Sequence, residues 1–253
     1  MIAPGEKAPD FTLSDHLGRR ISLESFHNRR HVALLFYPLD WTPTCSQEVP
    51  EAQQLLPRFR AAHTQVLGVS VDSVYCHANW AKDLGGVSFP LLSDFQPKGE
   101  TGRKYGVYLE EAGIEDRATV FVDCSGIVRH SSSVTPKGKR DVAALAKLCE
   151  SLDAESTGKL EKLTEPAGLP KGTRLFVKSR CGFSRAALIA RDNLHLKDQL
   201  EVHNVTQEAE ARTDLLHLTG RDQAPCLVAD GKPIHESADI IRYLVNATTD
   251  LPG

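Results

Sequence analysis

The sequence has no close pair of cysteines, no apolar run long enough to cross a bilayer and no surplus of positive charge. Its six cysteines, Cys45, Cys76, Cys124, Cys149, Cys181 and Cys226, are scattered over 253 residues. None has the short spacing of a zinc site or of a disulfide-stapled small domain, so neither is expected to organise the fold, and no metal site is predicted. Lys and Arg number 30 against 33 Asp and Glu, a formal net charge of -3. That balance gives nucleic acid and anionic lipid no basic surface to bind, and both are set aside as partners. Residues Met1 to Asp10 lack the apolar core of a secretory signal, and no membrane span is expected, so the predicted location is the cytoplasm. In a reducing compartment the cysteines are free thiols, and each needs a local reason before it is taken as reactive.

No short-period repeat or low-complexity segment interrupts an alternation of apolar strand-like blocks and amphipathic helical patterns. Val32 to Tyr37 reads as a buried strand, followed by a Pro/Thr-rich turn and a helical face of Val49, Ala52, Leu56 and Phe59. Val66 to Val71 is a second strand, ending in Asp72-Ser73, which can cap a helix around Ala78 to Leu84. Phe89 to Leu92 and Thr119 to Val122 follow as strands, the latter in a hairpin with Ile127 to His130, and Val142 to Leu152 is a closing helix. A polar stretch with Gly158, Pro166, Gly168, Pro170 and Gly172 then reads as a linker. Beyond it comes a complete βαβαββα unit: Arg174 to Val177, Ser184 to Leu194, Leu200 to Asn204, Glu208 to Leu218, Cys226 to Ala229, Lys232 to Ile234 and Ser237 to Leu244. The predicted organisation is a domain over 1–152, a linker over 153–172 and a smaller domain over 173–253. Both domains are α/β with mixed sheets flanked by helices.

Each domain places a cysteine between a strand and a helix. In Pro38-Leu-Asp-Trp-Thr42-Pro-Thr-Cys45 the thiol enters the open first turn of a helix, where thiolate is favoured. A helix terminus contributes at most about 2 kcal/mol, too little to hold a thiolate at neutral pH unaided. A cationic partner is required, and Arg117, just before a strand, can supply it. Thr42 can offer its hydroxyl to the sulfur or to a bound oxygen. The pattern P-x-x-x-T-x-x-C, with Glu48 three residues on, resembles the active-site motif of peroxiredoxins of the alkyl hydroperoxide reductase and thiol-specific antioxidant group. Similar segments occur at Pro4 to Phe11, Val69 to Ser73, Phe89 to Asp94 and Arg117 to Asp123. The resemblance implies a thioredoxin-like fold and a peroxide site of Pro38, Thr42, Cys45 and Arg117. Cys45 would attack hydrogen peroxide or an organic hydroperoxide and become a sulfenic acid, with no metal or organic cofactor. It also implies a homo-oligomer.

The reductant of that sulfenic acid is less plainly written. No Val-Cys-Pro segment follows the helix ending near Leu152, where the typical two-cysteine subclass carries its resolving cysteine. Cys76, at the start of a helix, is the candidate resolving residue within the first domain. Cys124 and Cys149 read as structural, and His77 and His130 as surface or boundary residues. In the second domain Lys178-Ser-Arg-Cys181-Gly-Phe-Ser184 repeats the strand-to-helix thiol, with Lys178 and Arg180 near enough to stabilise a thiolate. Downstream lie Ala224-Pro225, read as a cis bond, and Glu236-Ser237 before Ile-Ile-Arg-Tyr-Leu244. This domain resembles glutaredoxins at the cysteine and the proline, and the N-terminal domain of glutathione transferases at Glu-Ser. The resemblance implies a thioredoxin-like fold and a glutathione site of Lys178, Ala224, Pro225, Glu236 and Ser237. Ser184 stands where a dithiol glutaredoxin has its second cysteine, which implies a monothiol cycle with glutathione as co-substrate. Three readings stay open: a self-contained glutathione peroxidase using Cys181, a thioredoxin-dependent peroxidase using Cys76, and a peroxide sensor or holdase.

Overall fold

The structure is a computed structural model, described over residues 1–158 and 160–251. The chain divides into two compact units, one formed by Met1–Trp80 and Phe89–Leu163, the other by Ala81–Ser88 and the chain from Thr164 onward. In chain order the first carries β1 (Thr12–Asp15), β2 (Arg20–Ser22), β3 (His31–Phe36), α1 (Cys45–Gln54), α2 (Leu56–Ala61), β4 (Thr64–Ser70), α3 (Val74–Asp83, which runs past the division), β5 (Leu91–Ser93), α4 (Glu100–Tyr105), β6 (Tyr108–Leu109), β7 (Ile114–Glu115), β8 (Ala118–Val122), β9 (Val128–Ser133) and α5 (Val142–Ala154). Its main sheet has the order β2-β1-β5-β4-β3-β8-β9, and β6 and β7 form a separate hairpin. The central strand β3 is parallel to β4 and antiparallel to β8. Every residue of β3, β4 and β8 is buried. Their near-continuous apolar runs are those of strands covered on both faces.

The single helical face expected from Val49 to Phe59 is two helices. The chain breaks at Leu55 (φ -93°, ψ 1°), and Pro57 sits in the first turn of α2. Proline there lacks the N–H that would continue α1, so the ladder stops before it. The helix expected from Ala78 begins earlier, at Val74, where the Cys76 N–H reaches Ser73 Oγ at 3.3 Å. Strands β1 and β2, the β6–β7 hairpin and α4 are too short to leave a periodic signal.

In the second unit β10 (Arg174–Val177), α6 (Gly182–Asn193), β11 (Glu201–Asn204), α7 (Ala209–Thr219), β12 (Cys226–Ala229), β13 (Lys232–His235) and α8 (Ser237–Thr248) follow the βαβαββα order. The sheet order is β11-β10-β12-β13, with β10 parallel to β11 and antiparallel to β12. Phe176, Leu215, Cys226 and Val228 share one side of its core, and α6 packs on α8. Both units are mixed α/β structures of thioredoxin type.

Helix α5 has a side-chain cap, the Asp141 carboxylate accepting the Ala144 N–H at 2.8 Å. Asp141→Ala is expected to lower the unfolding free energy of the first unit by about 1 kcal/mol, measured by denaturant titration.

Candidate active sites

Cys45 is the first residue of α1 and is completely buried. Ahead of it Pro38 is buried at the end of β3, and the Ser46 N–H returns to the Thr42 carbonyl at 2.9 Å, winding the loop into the helix. The Arg117 guanidinium donates to the Cys45 sulfur at 3.4 Å. The same Nη1 donates to Glu48 Oε2 at 2.9 Å, and Nη2 to the Pro136 carbonyl at 3.2 Å. Arg117 Nε is buried with no partner among the described residues, a donor left over for an oxygen beside the sulfur. Thr42 departs from expectation. Its hydroxyl donates to the Leu39 carbonyl at 2.9 Å, because that oxygen lies within its own turn, and only its lone pairs remain to accept a proton from a ligand.

A second arginine completes the centre. Arg140 donates from its backbone N–H to Glu48 Oε1 at 2.5 Å and from Nη1 to Oε2 at 3.1 Å. It also donates to the carbonyls of Phe36 and Ala118 at 2.7 and 2.8 Å and to Thr119 Oγ1 at 2.8 Å. Burial lowers its pKa to about 10, against the pull of Glu48, so it is cationic at neutral pH. Two guanidiniums and one carboxylate leave one positive charge over, and it faces the sulfur. That charge is placed to stabilise negative charge that develops at the sulfur or on an oxygen beside it.

The loop that carries Pro38 and Thr42 is moored by Asp40. Its carboxylate accepts the Tyr37 hydroxyl at 2.9 Å and meets His77 Nδ1 at 2.9 Å, while its N–H donates to Asp72 at 2.9 Å. His77, read from sequence as a surface or boundary residue, is completely buried. Its two nitrogens face the Asp40 carboxylate and the Leu92 carbonyl, which offset its loss of water. Burial first, and then the charge of Asp40, push the neighbouring Cys76 thiol up to about 12. Among the described residues Asp40, Asp72 and Cys76 bring potential metal-ligand atoms within 4.8 Å of one another. Both carboxylates are already engaged, by Tyr37 and His77 and by Ser70 and the Asp40 N–H.

In the second unit Cys181 is the N-cap of α6 and is partly exposed. Its thiol is held below the ordinary cysteine range, first by the Ser184 N–H and hydroxyl, then by the Phe183 N–H, with Lys178 the weakest contributor. Sequence reasoning gave this effect to the strand-to-helix junction together with Lys178 and Arg180. In the structure the helix start leads and Lys178 adds little, because its Nζ is turned to the Asp222 carbonyl at 3.1 Å. Ala224-Pro225 is cis. Glu236 is exposed at φ 63°, Gln223 donates to its Oε1 at 3.0 Å, and Ser237 opens α8.

The AhpC/TSA family profile matches residues 4–131, half of the chain, and the profile of the glutathione S-transferase N-terminal domain matches residues 180–247. This chain belongs to the AhpC/TSA family. Alkyl hydroperoxide reductase E of Mycobacterium tuberculosis is 39% identical to it over 141 residues, covering 56% of this chain and 92% of the relative. The chloroplastic 2-cysteine peroxiredoxin of Chattonella marina var. antiqua is 39% identical over 140 residues, covering 52% and 70%. Among solved structures, AhpC of Enterococcus faecalis matches with a TM-score of 0.56 at 27% identity, over 63% of this chain and 98% of its own. The mitochondrial 2-Cys peroxiredoxin of Plasmodium falciparum matches at 0.53 and 30%, over 59% and 94%. The AhpC/TSA unit is therefore a cysteine-based peroxide reductase, and the second unit is similar to a glutathione transferase N-terminal domain.

In the AhpC/TSA unit the structure brings Thr42, Cys45 and Arg117 to one helix start. In sequence Glu48 stands out only by its place three residues past Cys45, and nothing points to Arg140, which comes from a polar Lys-Gly-Lys-Arg run without a motif. Replacing Glu48 by Gln leaves two buried guanidiniums without their counter-charge. It is expected to cost about 3 kcal/mol of stability, whereas Glu51→Gln, at the exposed pair with Lys139, costs under about 1 kcal/mol in the same denaturant titration. At the second thiol, Ser184→Ala is expected to move the pH midpoint of Cys181 alkylation upward, and by more than Lys178→Met does.

Proposed function

We propose that this protein is a self-contained glutathione-dependent peroxidase in which Cys45 is oxidised by the hydroperoxide and Cys181 returns it to the thiolate. The observation that carries the reading is the pair of helix-start thiols in one chain, each with its own device for favouring the anion. At Cys45 the device is the excess charge of Arg117 and Arg140 over Glu48. At Cys181 it is the first turn of α6, beginning with the Ser184 N–H.

The Cys45 thiolate attacks the terminal peroxide oxygen. The O–O bond breaks, the sulfur becomes a sulfenic acid, and the leaving oxygen takes a proton and departs as water or an alcohol. Arg117 donates to the developing negative charge, and Thr42 accepts the hydroperoxide proton in a hydrogen bond that orients it. Glutathione then condenses with the sulfenic acid, releasing water and forming a mixed disulfide. Cys181 attacks the glutathione sulfur of that disulfide and frees the Cys45 thiolate. A second glutathione attacks the Cys181 adduct and leaves as glutathione disulfide, so one hydroperoxide consumes two glutathiones. The buried Cys45 sulfur requires the first turn of α1 to open before a second thiol can reach it.

On the second unit Lys178, the backbone of Ala224 beside cis-Pro225, and Glu236 with Ser237 at the start of α8 are the proposed contacts for glutathione. A helix N-terminus suits the γ-glutamyl carboxylate. Cys76 supports the alternative thioredoxin route poorly, because a thiol pushed up to about 12 is almost wholly protonated at neutral pH.

The deciding measurement is hydrogen peroxide consumption by the full chain with glutathione and glutathione reductase as the electron source. Wild type and Cys76→Ser are expected to turn over. Cys45→Ser should be inactive, and Cys181→Ser should lose at least about tenfold, the size of a 1.4 kcal/mol barrier change. Turnover by Cys181→Ser at the wild-type rate sinks the relay.

A further inference from the structure

Glu115, the last residue of β7, is completely buried, and neither carboxyl oxygen has a hydrogen-bond donor among the described residues. The group is packed against Gly102: a Cβ at that glycine would come within 2.0 Å of Oε2 and 2.4 Å of Oε1. The Asp94 carboxylate lies beside it, Gly102 being a neighbour of both. Asp94 already accepts the N–H groups of Thr101 at 3.1 Å and Gly102 at 2.9 Å. Two adjoining buried carboxyls cannot both hold a charge. The two N–H donors sit on Asp94 and Glu115 has none, so a proton shared within the pair belongs on Glu115. The groups around the pair do not change that assignment. β4, packed against β7, is Thr-Gln-Val-Leu-Gly-Val-Ser and brings no titratable side chain. α4 brings Arg103, whose guanidinium is spent on Glu110 at 2.5 and 2.8 Å. β6 sets Tyr108 opposite Glu115. Asp116 is occupied by the Ser133 hydroxyl at 2.6 Å and the Arg117 N–H at 2.7 Å. Burial, then the charge of Asp94, push Glu115 up to about 8.

Two residues past Glu115 lies Arg117. The chain between them is short and pinned, the Asp116 N–H donating to the Val107 carbonyl at 2.8 Å. Where β7 is held therefore fixes where the Arg117 side chain starts. We propose that protonated Glu115, beside Asp94, is a positioning residue for Arg117, and that loss of its proton frees the end of β7 and draws Arg117 from the Cys45 sulfur. The proposal rests on the reading of Arg117 as the group that attends the reacting sulfur. A carboxyl that titrates higher folded than unfolded stabilises the fold fully below the ordinary carboxylate range. That stability declines as pH rises and is gone once pH has passed through the folded value. Peroxide reactivity should thus fall on the alkaline side, where a thiolate alone would keep it flat.

The test is the second-order rate constant for Cys45 oxidation by hydrogen peroxide in the full chain, together with Tm, from about pH 6 to about pH 9.5. Glu115→Gln keeps a donor for Asp94 and cannot ionise. Wild type is expected to slow by about threefold or more over the alkaline half of the range and to lose Tm, while Glu115→Gln stays within about twofold. An equal alkaline fall in both proteins, or a Glu115→Gln protein slow at every pH, overturns the proposal. If that variant does not fold, the infrared band of a protonated carboxyl in wild type serves instead. It should vanish with the same midpoint as the rate, and midpoints more than about one pH unit apart overturn the proposal. Arg117→Lys is run alongside. An unchanged rate there refutes the role of Arg117 itself, whereas a slow Arg117→Lys with an unaltered alkaline fall in Glu115→Gln refutes only that of Glu115.

Discussion

The Glu48 carboxylate, shared by Arg117 and Arg140 in a site closed to water, ties together three parts of the chain that are remote in sequence: the first turn of α1, the approach to β8 and the loop before α5. Burying an ion costs several kcal/mol unless another charge and good hydrogen bonds replace its water. Glu48 is stabilised by both arginines and each arginine by Glu48, against the mutual repulsion of the two guanidiniums, and Arg140 is held further by the Phe36 and Ala118 carbonyls on β3 and β8. The same requirement dictates the chemistry. A triad of net charge +1 is incomplete without an anion, and the nearest atom able to become one is the Cys45 sulfur. Stability and reactivity at this centre are therefore one electrostatic arrangement.

Helix N-termini are common to several thiols here, yet they do not treat them alike. Cys181 is close to the donors of its own helix and has little burial to oppose them, so its thiol moves down. Cys76 also lies in a first helical turn, but burial and the carboxylate of Asp40 oppose the anion, and the thiol moves up to about 12. Cys149 and Cys226, with no cationic partner among the described residues, are pushed by burial to about 12 and about 11. The balance of desolvation and neighbouring charge, rather than position on a helix, separates thiols that can react from those that only fill space.

What could be read from sequence was what is local. Cys45, Thr42 and Pro38 lie within eight residues of one another, and the cysteine after Val177 announces itself by the same strand–thiol–helix order. Arg117 was legible because it directly precedes an apolar strand. Arg140 was not: its role depends on a partner, Glu48, 92 positions away, and a basic residue in a polar loop looks like any solvated charge. His77 was misread because its own segment, with Cys76 and Ala78 on either side, gives no sign that the distant Asp40 and Leu92 will satisfy it in the core. Glu115, between Ile114 and Asp116, has the look of a surface carboxylate, and only the fold shows Gly102 pressed against it. Long-range pairing of polar groups has no period, and hydrophobic patterning cannot reveal it.

The stretch from Asp153 to Gly172 has the composition of a flexible connector, but composition describes the free chain and not what the chain finds to bind. In the first unit Arg29 and Arg30 donate to the Glu161 carboxylate at 2.6 and 3.2 Å, and the Glu161 N–H donates back to the Arg29 carbonyl at 2.8 Å. Asp153 is engaged by His63 at 3.1 Å. In the second unit the Gly168 N–H donates to the Ala247 carbonyl at 2.8 Å. Fastened in this way, the stretch able to act as a free tether is shorter than its Gly- and Pro-containing composition implies. For a thiol relay this matters because effective concentration rises as a tether shortens, until the tether can no longer span the distance between its two sites. A buried Cys45 adds a second restraint. In the proposed relay the small, diffusible glutathione is suited to meet both, since it would reach a transiently opened sulfur and leave on it a disulfide that extends outward, so that Cys181 would have to reach the adduct and not the pocket.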